Sequence, residues 1–114
     1  MKTTTTLLLT GSLFVALAGL APAQAAVDEA AALSLAKKND CTKCHDVVKT
    51  KKGPSYKKVA EKYKGKADGE AKVIEAMTKG KKVKLEDGSE EDHKIIDTKD
   101  VAEQKNLAAW ILSR

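Results

Sequence analysis

Apolar residues beyond position 27 recur mainly at intervals of three and four, the repeat of helices that bury one face. The run from Asp28 to Lys38 begins with acidic residues and ends with lysines, an order that suits the helix dipole. A second helix is predicted from Tyr56 to Lys64, with Ser55 as its N-cap. The apolar residues of this second helix share one face and are Tyr56, Val59, Ala60 and Tyr63.

Two further helices are predicted in the second half of the chain. One runs from Glu70 to Thr78, with Gly80 as its stop signal. The last begins where Asp100 and Glu103 have capping-box spacing, and it continues to the C-terminus. The apolar residues of these two helices are Val73, Ile74 and Met77, then Val101, Leu107, Ala108, Trp110 and Ile111.

Residues 81–97 interrupt this helical repeat with a strongly charged stretch. Asp87 and Gly88 form a turn signal. Ser89 and Asp92 have the spacing of a capping box, so we expect a short helical turn to begin there. The alternation typical of a strand is not seen anywhere, and the predicted fold class is all-α.

The first 25 residues have the pattern of a cleaved signal peptide. Lys2 provides a positive start, an apolar run extends from Leu7 to Leu20, and small residues precede a predicted cleavage site after Ala25, with Ala23 as the alternative. An uncleaved membrane anchor is the other interpretation, but the run is short for a spanning helix of about 20 residues. We therefore expect an exported, periplasmic domain over residues 26–114 without stable membrane insertion.

The composition limits the core and the partners. The formal net charge is +5, with few aromatic residues and many lysines. A chain with so few large apolar side chains gains stability from a buried cofactor. The basic surface matches an acidic protein partner, and nucleic acid is not expected for an exported protein without interleaved aromatic and basic residues. We expect a single domain and a monomer.

One motif carries the chemistry: Cys41-Thr42-Lys43-Cys44-His45. A C-x-x-C-H run is the attachment signature of c-type haem, in which two thiols bond to one porphyrin and the adjacent imidazole binds iron. Export fits this interpretation, because such haem is attached on the far side of the membrane. A thioredoxin-like redox pair would need a βαβ context, which is absent. A zinc site would need four ligands, and His93 is the only other histidine.

The order of helices, motif, Gly53-Pro54 and a Trp-bearing last helix resembles that of small bacterial class I cytochromes c of the c-551/c8 type. The resemblance implies about four helices wrapped around one covalently attached haem and its iron. It implies thioethers at Cys41 and Cys44, His45 as the proximal iron ligand, and a Pro54 carbonyl that accepts a hydrogen bond from His45. It also implies that the first helix crosses the last.

The sixth ligand is where the chain departs from the family pattern, which has a Met in the loop before the last helix. No Met follows Gly80, Met77 has the position of an apolar helix residue, and His93 lies near the expected place. His93 is thus the predicted distal ligand. The alternative is that His93 is an exposed loop histidine. The sixth position of the iron would then hold Met77 or a lysine, or would be open or bound to water. If Ser89 capped a helical turn, the positive end of that turn would keep the imidazole neutral. Ile95 and Ile96 are expected to anchor the segment against the haem edge.

The predicted function is electron transfer through one haem, without catalysis. A bis-histidine iron should have a low potential, because imidazole favours Fe(III) more than thioether does. The alternatives are a gas- or anion-binding sensor with a displaceable sixth ligand, or a haem subunit of a larger oxidoreductase. Lysines flanking the haem region are candidates for docking or for a general solubilising face: Lys37, Lys38, Lys43, Lys51, Lys52, Lys57 and Lys58.

Overall fold

The computed structural model describes residues 26–114 and Gly19, so the predicted signal peptide lies, but for that glycine, outside the described residues. The helices are α1 (Glu29–Lys38), α2 (Cys41–Cys44), α3 (Tyr56–Tyr63), α4 (Gly69–Lys79) and α5 (Val101–Leu112). The strands are β1 (Lys82–Lys84) and β2 (Glu90–Asp92). No described helix has the length and apolar character needed to cross a membrane.

The four predicted helices form within one or two residues of their expected bounds, because their ends are set by local caps. The Asp28 carboxylate accepts from the Ala31 N–H, and the Asp100 carboxylate accepts from the Ala102 N–H. Ser55 caps α3 as predicted, and Gly80 ends α4 in the left-handed conformation at φ 59°. The side chains of Asp28, Ser55 and Asp100 each satisfy a free N–H at the start of a helix.

The core lies where α5 packs against α1, α3 and α4. Trp110 and Leu107 of α5 are each 1% exposed, and they share one buried cluster with Ala36 of α1. The crossing of the first and last helices, which the resemblance implied, is therefore present. The remaining buried members of the cluster come from every longer helix and from one loop: Ala32, Tyr56, Val73, Met77, Ile96, Ala108 and Ile111.

A sharp corner separates α1 from the cysteine motif. Asp40 adopts a left-handed conformation at φ 58°, which Asp tolerates better than most residues. The Asp40 carbonyl then accepts from the Lys43 N–H at 3.0 Å. The motif thus lies on its own short helix, turned away from the axis of α1.

Residues 81–97 contain a short antiparallel hairpin, which no alternation in the sequence indicated, within a fold that is otherwise helical as predicted. β1 and β2 pair with Lys82 opposite Asp92 and Lys84 opposite Glu90. Opposite charges across a strand pair are favourable, and Gly88 provides the positive φ of the turn. The predicted helical turn at Ser89 was wrong, because the Ser89 hydroxyl and N–H both donate to the Asp87 carboxylate within the turn.

Residues 93–97, here called the His93 segment, follow the hairpin and lie along the end of α4. The His93 N–H donates to the Lys81 carbonyl at 3.0 Å, and the Ile96 N–H donates to the Met77 carbonyl at 2.9 Å. Ile96 is 5% exposed and belongs to the core, whereas Ile95 is 59% exposed. Ile96 thus holds the segment in the core, and the contact of both isoleucines with the haem edge stays a prediction.

Candidate functional site

One turn of helix brings the motif residues together. Cys41 and Cys44 lie three positions apart on α2 with half-buried, free thiols. His45 follows directly, and its N–H donates to the Cys41 carbonyl at 2.9 Å. Residues three and four positions apart share a helix face, so both thiols and the imidazole start from the same side. In the described part of the chain, no group of three or more His, Cys, Asp or Glu could hold a metal ion.

The His45 ring is held in one orientation. Its Nδ1 lies 2.6 Å from the Pro54 carbonyl oxygen. A carbonyl can only accept, so Nδ1 carries the proton and Nε2 keeps its lone pair. Burial lowers the pKa of His45, partly offset by the Pro54 bond, and this favours the neutral ring. The structure thus contains the His45–Pro54 contact that the resemblance implied.

Gly53 lets the backbone approach this ring closely. A Cβ at Gly53 would lie 2.9 Å from His45 Cε1, closer than side-chain atoms tolerate. The Gly53 N–H also donates to the Cys44 carbonyl at 2.9 Å. The loop thus requires a glycine here, a role that the sequence indicated only as a Gly-Pro break between helices.

His93 lies opposite His45, with ring centroids 5.9 Å apart and planes inclined by 44°. His93 Nδ1 donates to the Lys94 carbonyl at 2.9 Å, so Nε2 is again the nitrogen with a free lone pair. A bond from imidazole nitrogen to a first-row metal is about 2 Å, which places the centroids of two rings on one ion about 6 Å apart. The centroid separation of the two rings is therefore close to that of two imidazoles that share one metal ion.

The surroundings of His93 differ from those expected. The ring is half-buried and is not an exposed loop histidine. A strand precedes it, so the helix N-terminus proposed to keep it neutral does not exist; the Lys94 carbonyl sets the tautomer instead. Met77 is 5% exposed within the core cluster, as its apolar helix position predicts.

An aromatic row extends from His45 into the core. Tyr56 stacks on His45 with centroids 5.5 Å apart, and Trp110 meets Tyr56 edge-on at 5.2 Å. Burial raises the pKa of the Tyr56 hydroxyl. This hydroxyl and Trp110 Nε1 are buried without a hydrogen-bond partner, which is unusual because buried polar atoms are nearly always paired. The polar edge of a buried cofactor would fit this need, a role that the apolar spacing of both residues did not reveal.

Comparisons with known proteins identify the family to which this fold belongs. Residues 29–114 match the family model described as Cytochrome c. Cytochrome c-552 of Hydrogenobacter thermophilus is 36% identical over 101 residues, covering 89% of this chain and 94% of that protein. The crystal structure of the class 1 cytochrome MtoD from Sideroxydans lithotrophicus ES-1 is 61% identical, with a TM-score of 0.74 over 77% of this chain and 97% of that one.

Nitrosomonas europaea cytochrome c552 is a more distant structural relative. It is 32% identical, with a TM-score of 0.57 over 71% of this chain and 96% of that one. Family model, curated relative and solved structures agree on fold and length, and they confirm the resemblance stated from the motif. The chain belongs to the cytochrome c family, as a small class I member with one covalently attached haem c.

Proposed function

We propose that this electron-transfer haem protein is a periplasmic shuttle in which Cys41 and Cys44 hold the haem and His45 and His93 bind its iron. The supporting observation is the imidazole pair, with centroids 5.9 Å apart and each Nδ1 bonded to a carbonyl. When bound, the haem supplies one-electron chemistry between Fe(III) and Fe(II). The residues of the chain supply attachment, orientation and electrostatics.

The two carbonyls have a specific effect on the imidazoles. A hydrogen bond from Nδ1 to an acceptor orients the ring and makes Nε2 a better donor to a metal. Pro54 serves His45 in this way, and Lys94 serves His93. Two strong nitrogen donors stabilise Fe(III), so we propose a potential below that of His/Met relatives.

A filled sixth position defines the function as electron transfer. With His93 on the iron, no coordination site is open for a gas, an anion or a substrate. We therefore favour a shuttle over a sensor cytochrome, and any substrate chemistry takes place on partner proteins.

The surface around α2 is the proposed docking face for a redox partner. Val48 is 65% exposed and Val47 is 37% exposed, directly after the motif. Exposed lysines flank them, although Lys51 donates to the Thr42 carbonyl and Lys43 pairs with an aspartate. An apolar centre with a charged rim suits brief association with an acidic partner.

Ferric electron paramagnetic resonance of the haem-loaded protein tests the ligand assignment. We expect a low-spin bis-imidazole signal that Met77→Leu leaves unchanged and that His93→Ala replaces with a high-spin or exogenous-ligand signal. Met77→Leu is the matched control because it alters the other candidate ligand while retaining apolar volume. A signal that is unchanged in His93→Ala and lost in Met77→Leu would reverse the assignment.

Carbon monoxide separates the shuttle from the sensor. The ferrous wild-type protein should bind carbon monoxide slowly or not at all, whereas ferrous His93→Ala should bind it rapidly in a one-to-one ratio. Rapid binding by the wild type would favour the sensor.

A further inference from the structure

We propose that Asn39 is a positioning residue for His93, holding the His93 segment against the corner that precedes the cysteine motif. The inference rests on the proposed iron ligation by His93. Asn39 does not touch His93, and it acts through Asp97, at the far end of the segment. Its removal should speed the dissociation of His93 from iron.

Both polar atoms of the Asn39 side-chain amide bind Asp97, which lies 58 positions away in the sequence. Its Oδ1 accepts from the Asp97 N–H at 2.8 Å. Its Nδ2 donates to the Asp97 carboxylate at 3.1 Å and to the Leu35 carbonyl at 2.9 Å. The same residue thus caps the C-terminus of α1 and binds the backbone of the His93 segment, so it joins the two directly.

Two ion pairs run beside this link. Lys94 Nζ lies 2.9 Å from the Asp40 carboxylate, and Lys38 Nζ lies 3.0 Å from the Asp97 carboxylate. Both pairs are solvent-exposed, and exposed pairs contribute little and weaken further with salt. Asn39 is uncharged and half-buried, so its hydrogen bonds persist at ionic strengths that screen the ion pairs.

The location of Asn39 explains why it bears on the iron site. It lies two positions before Cys41, where the chain turns into α2, and α2 leads directly to His45. Within the His93 segment, the His93 N–H is held independently by the Lys81 carbonyl and the Ile96 N–H by the Met77 carbonyl. Loss of the Asn39 side chain therefore leaves the hairpin and the buried Ile96 in place. It weakens the attachment between the two histidine-bearing parts and removes the side-chain cap on α1.

Asn106 offers a matched control. Its Oδ1 accepts from the Asp28 N–H and its Nδ2 donates to the Asp28 carbonyl, both at 2.8 Å. It is also half-buried and also joins distant parts of the chain. It acts at the other end of α1, about 15 Å from Asn39 for a helix of this length.

The test is the rate of cyanide binding to the ferric, haem-loaded protein at saturating cyanide, where dissociation of the internal ligand limits the rate. We expect Asn39→Ala to raise this rate about tenfold at fixed pH and ionic strength, since several hydrogen bonds are lost. Asn106→Ala and Asp97→Asn should remain within about twofold of wild type. Asp97→Asn retains the backbone N–H and a side-chain oxygen while removing the ion pair.

A second variant keeps the inference testable if Asn39→Ala does not assemble with haem. Asp97→Ala removes the side-chain part of the link from the opposite end and leaves the Asn39–Leu35 bond that caps α1. It should give a smaller acceleration in the same direction. Thermal unfolding of each variant identifies any general loss of stability.

The outcomes separate this inference from the proposed function. Equal rates for Asn39→Ala and wild type, or equal acceleration by Asn39→Ala and Asn106→Ala, would overturn the role of Asn39. If His93→Ala leaves both the ferric spectrum and the cyanide rate unchanged, His93 is not the ligand and the proposed function fails first. A spectrum altered by His93→Ala together with an inert Asn39→Ala rejects the positioning role alone.

Discussion

The two histidines are held in opposite ways. The His45 ring is oriented by Gly53 and Pro54, no more than nine positions away. The segment that carries His93 is held by Met77 and by Asn39, the latter 58 positions from its partner Asp97. A short loop closes at lower entropic cost than a long one. The His45 side can therefore be formed largely by local sequence, whereas the His93 side depends on the assembled helices.

The largest expected effect is on the reduction potential, and it comes from replacing His93 while leaving His45 and its neighbours unchanged. His93→Met should raise the reduction potential by on the order of 0.1–0.3 V if the thioether binds iron, because thioether favours Fe(II). Protein-film voltammetry measures the shift, with Met77→Leu as a control that stays near wild type. A potential unchanged in His93→Met would place the ligand elsewhere.

The second largest effect is expected at Ile96, which holds the His93 segment in the core. Ile96→Ala removes a buried side chain and should lower the free energy of unfolding by about 2–4 kcal/mol. The exposed Val101 provides the control, since Val101→Ala should change the free energy of unfolding by less than about 0.5 kcal/mol. Denaturant unfolding of the haem-loaded protein measures both, and equal losses would contradict the described packing.

On the His45 side of the site, stability should be sensitive to a change at Gly53. Gly53→Ala places a Cβ 2.9 Å from the His45 ring, which Pro54 prevents from moving freely. We expect a loss of about 1–3 kcal/mol in unfolding free energy, the usual cost of overpacking. The ferric spectrum should also change. Ala76→Val adds atoms at an exposed site of α4 and should cost about 0.5 kcal/mol or less. A silent Gly53→Ala would show that the ring has room to shift.

The smallest expected effect is the change in stability at low pH. The Lys38 and Asn39 side chains hold the pKa of the Asp97 carboxyl below its usual value. Because the pKa is lowered in the folded state, the stabilising contribution is complete above the unfolded value of about 3.9 and is lost as pH falls through the folded value. The difference in unfolding free energy between wild type and Asp97→Asn should therefore shrink below about pH 4. Titration with denaturant at several pH values measures it, and a difference that grows on acidification would contradict the sign.

The hairpin shows where pattern reading fails. β1 and β2 have three residues each. Every residue of β2 is exposed and polar, and Val83 is the single apolar residue of β1, so the alternation is too short to indicate a strand. Residues of opposite charge face each other across the strands, and Gly88 provides the positive φ of the turn. Ser89 had a helix-capping spacing, but the nearby Asp87 carboxylate binds it within the turn.

The link between Asn39 and Asp97 has no signal in one sequence. Each residue suits a helix end or a loop on local grounds, and their distance along the chain hides the contact. The unpaired Tyr56 hydroxyl and Trp110 Nε1 were hidden in the same way, because both residues occupy ordinary apolar helix positions. Polar atoms become informative only when burial removes their water.

The linear chain already contained the caps at Asp28, Ser55 and Asp100, the Cys41–His45 motif and the family to which it belongs. These features depend on residues within one or two helical turns of each other, so they can be recognised from the order of residues in the sequence. The short distance between His93 and His45 depends instead on the tertiary structure. It arises because the hairpin and the buried Ile96 carry a distant segment across the fold. Packing of separated residues sets that distance, and no local pattern encodes it.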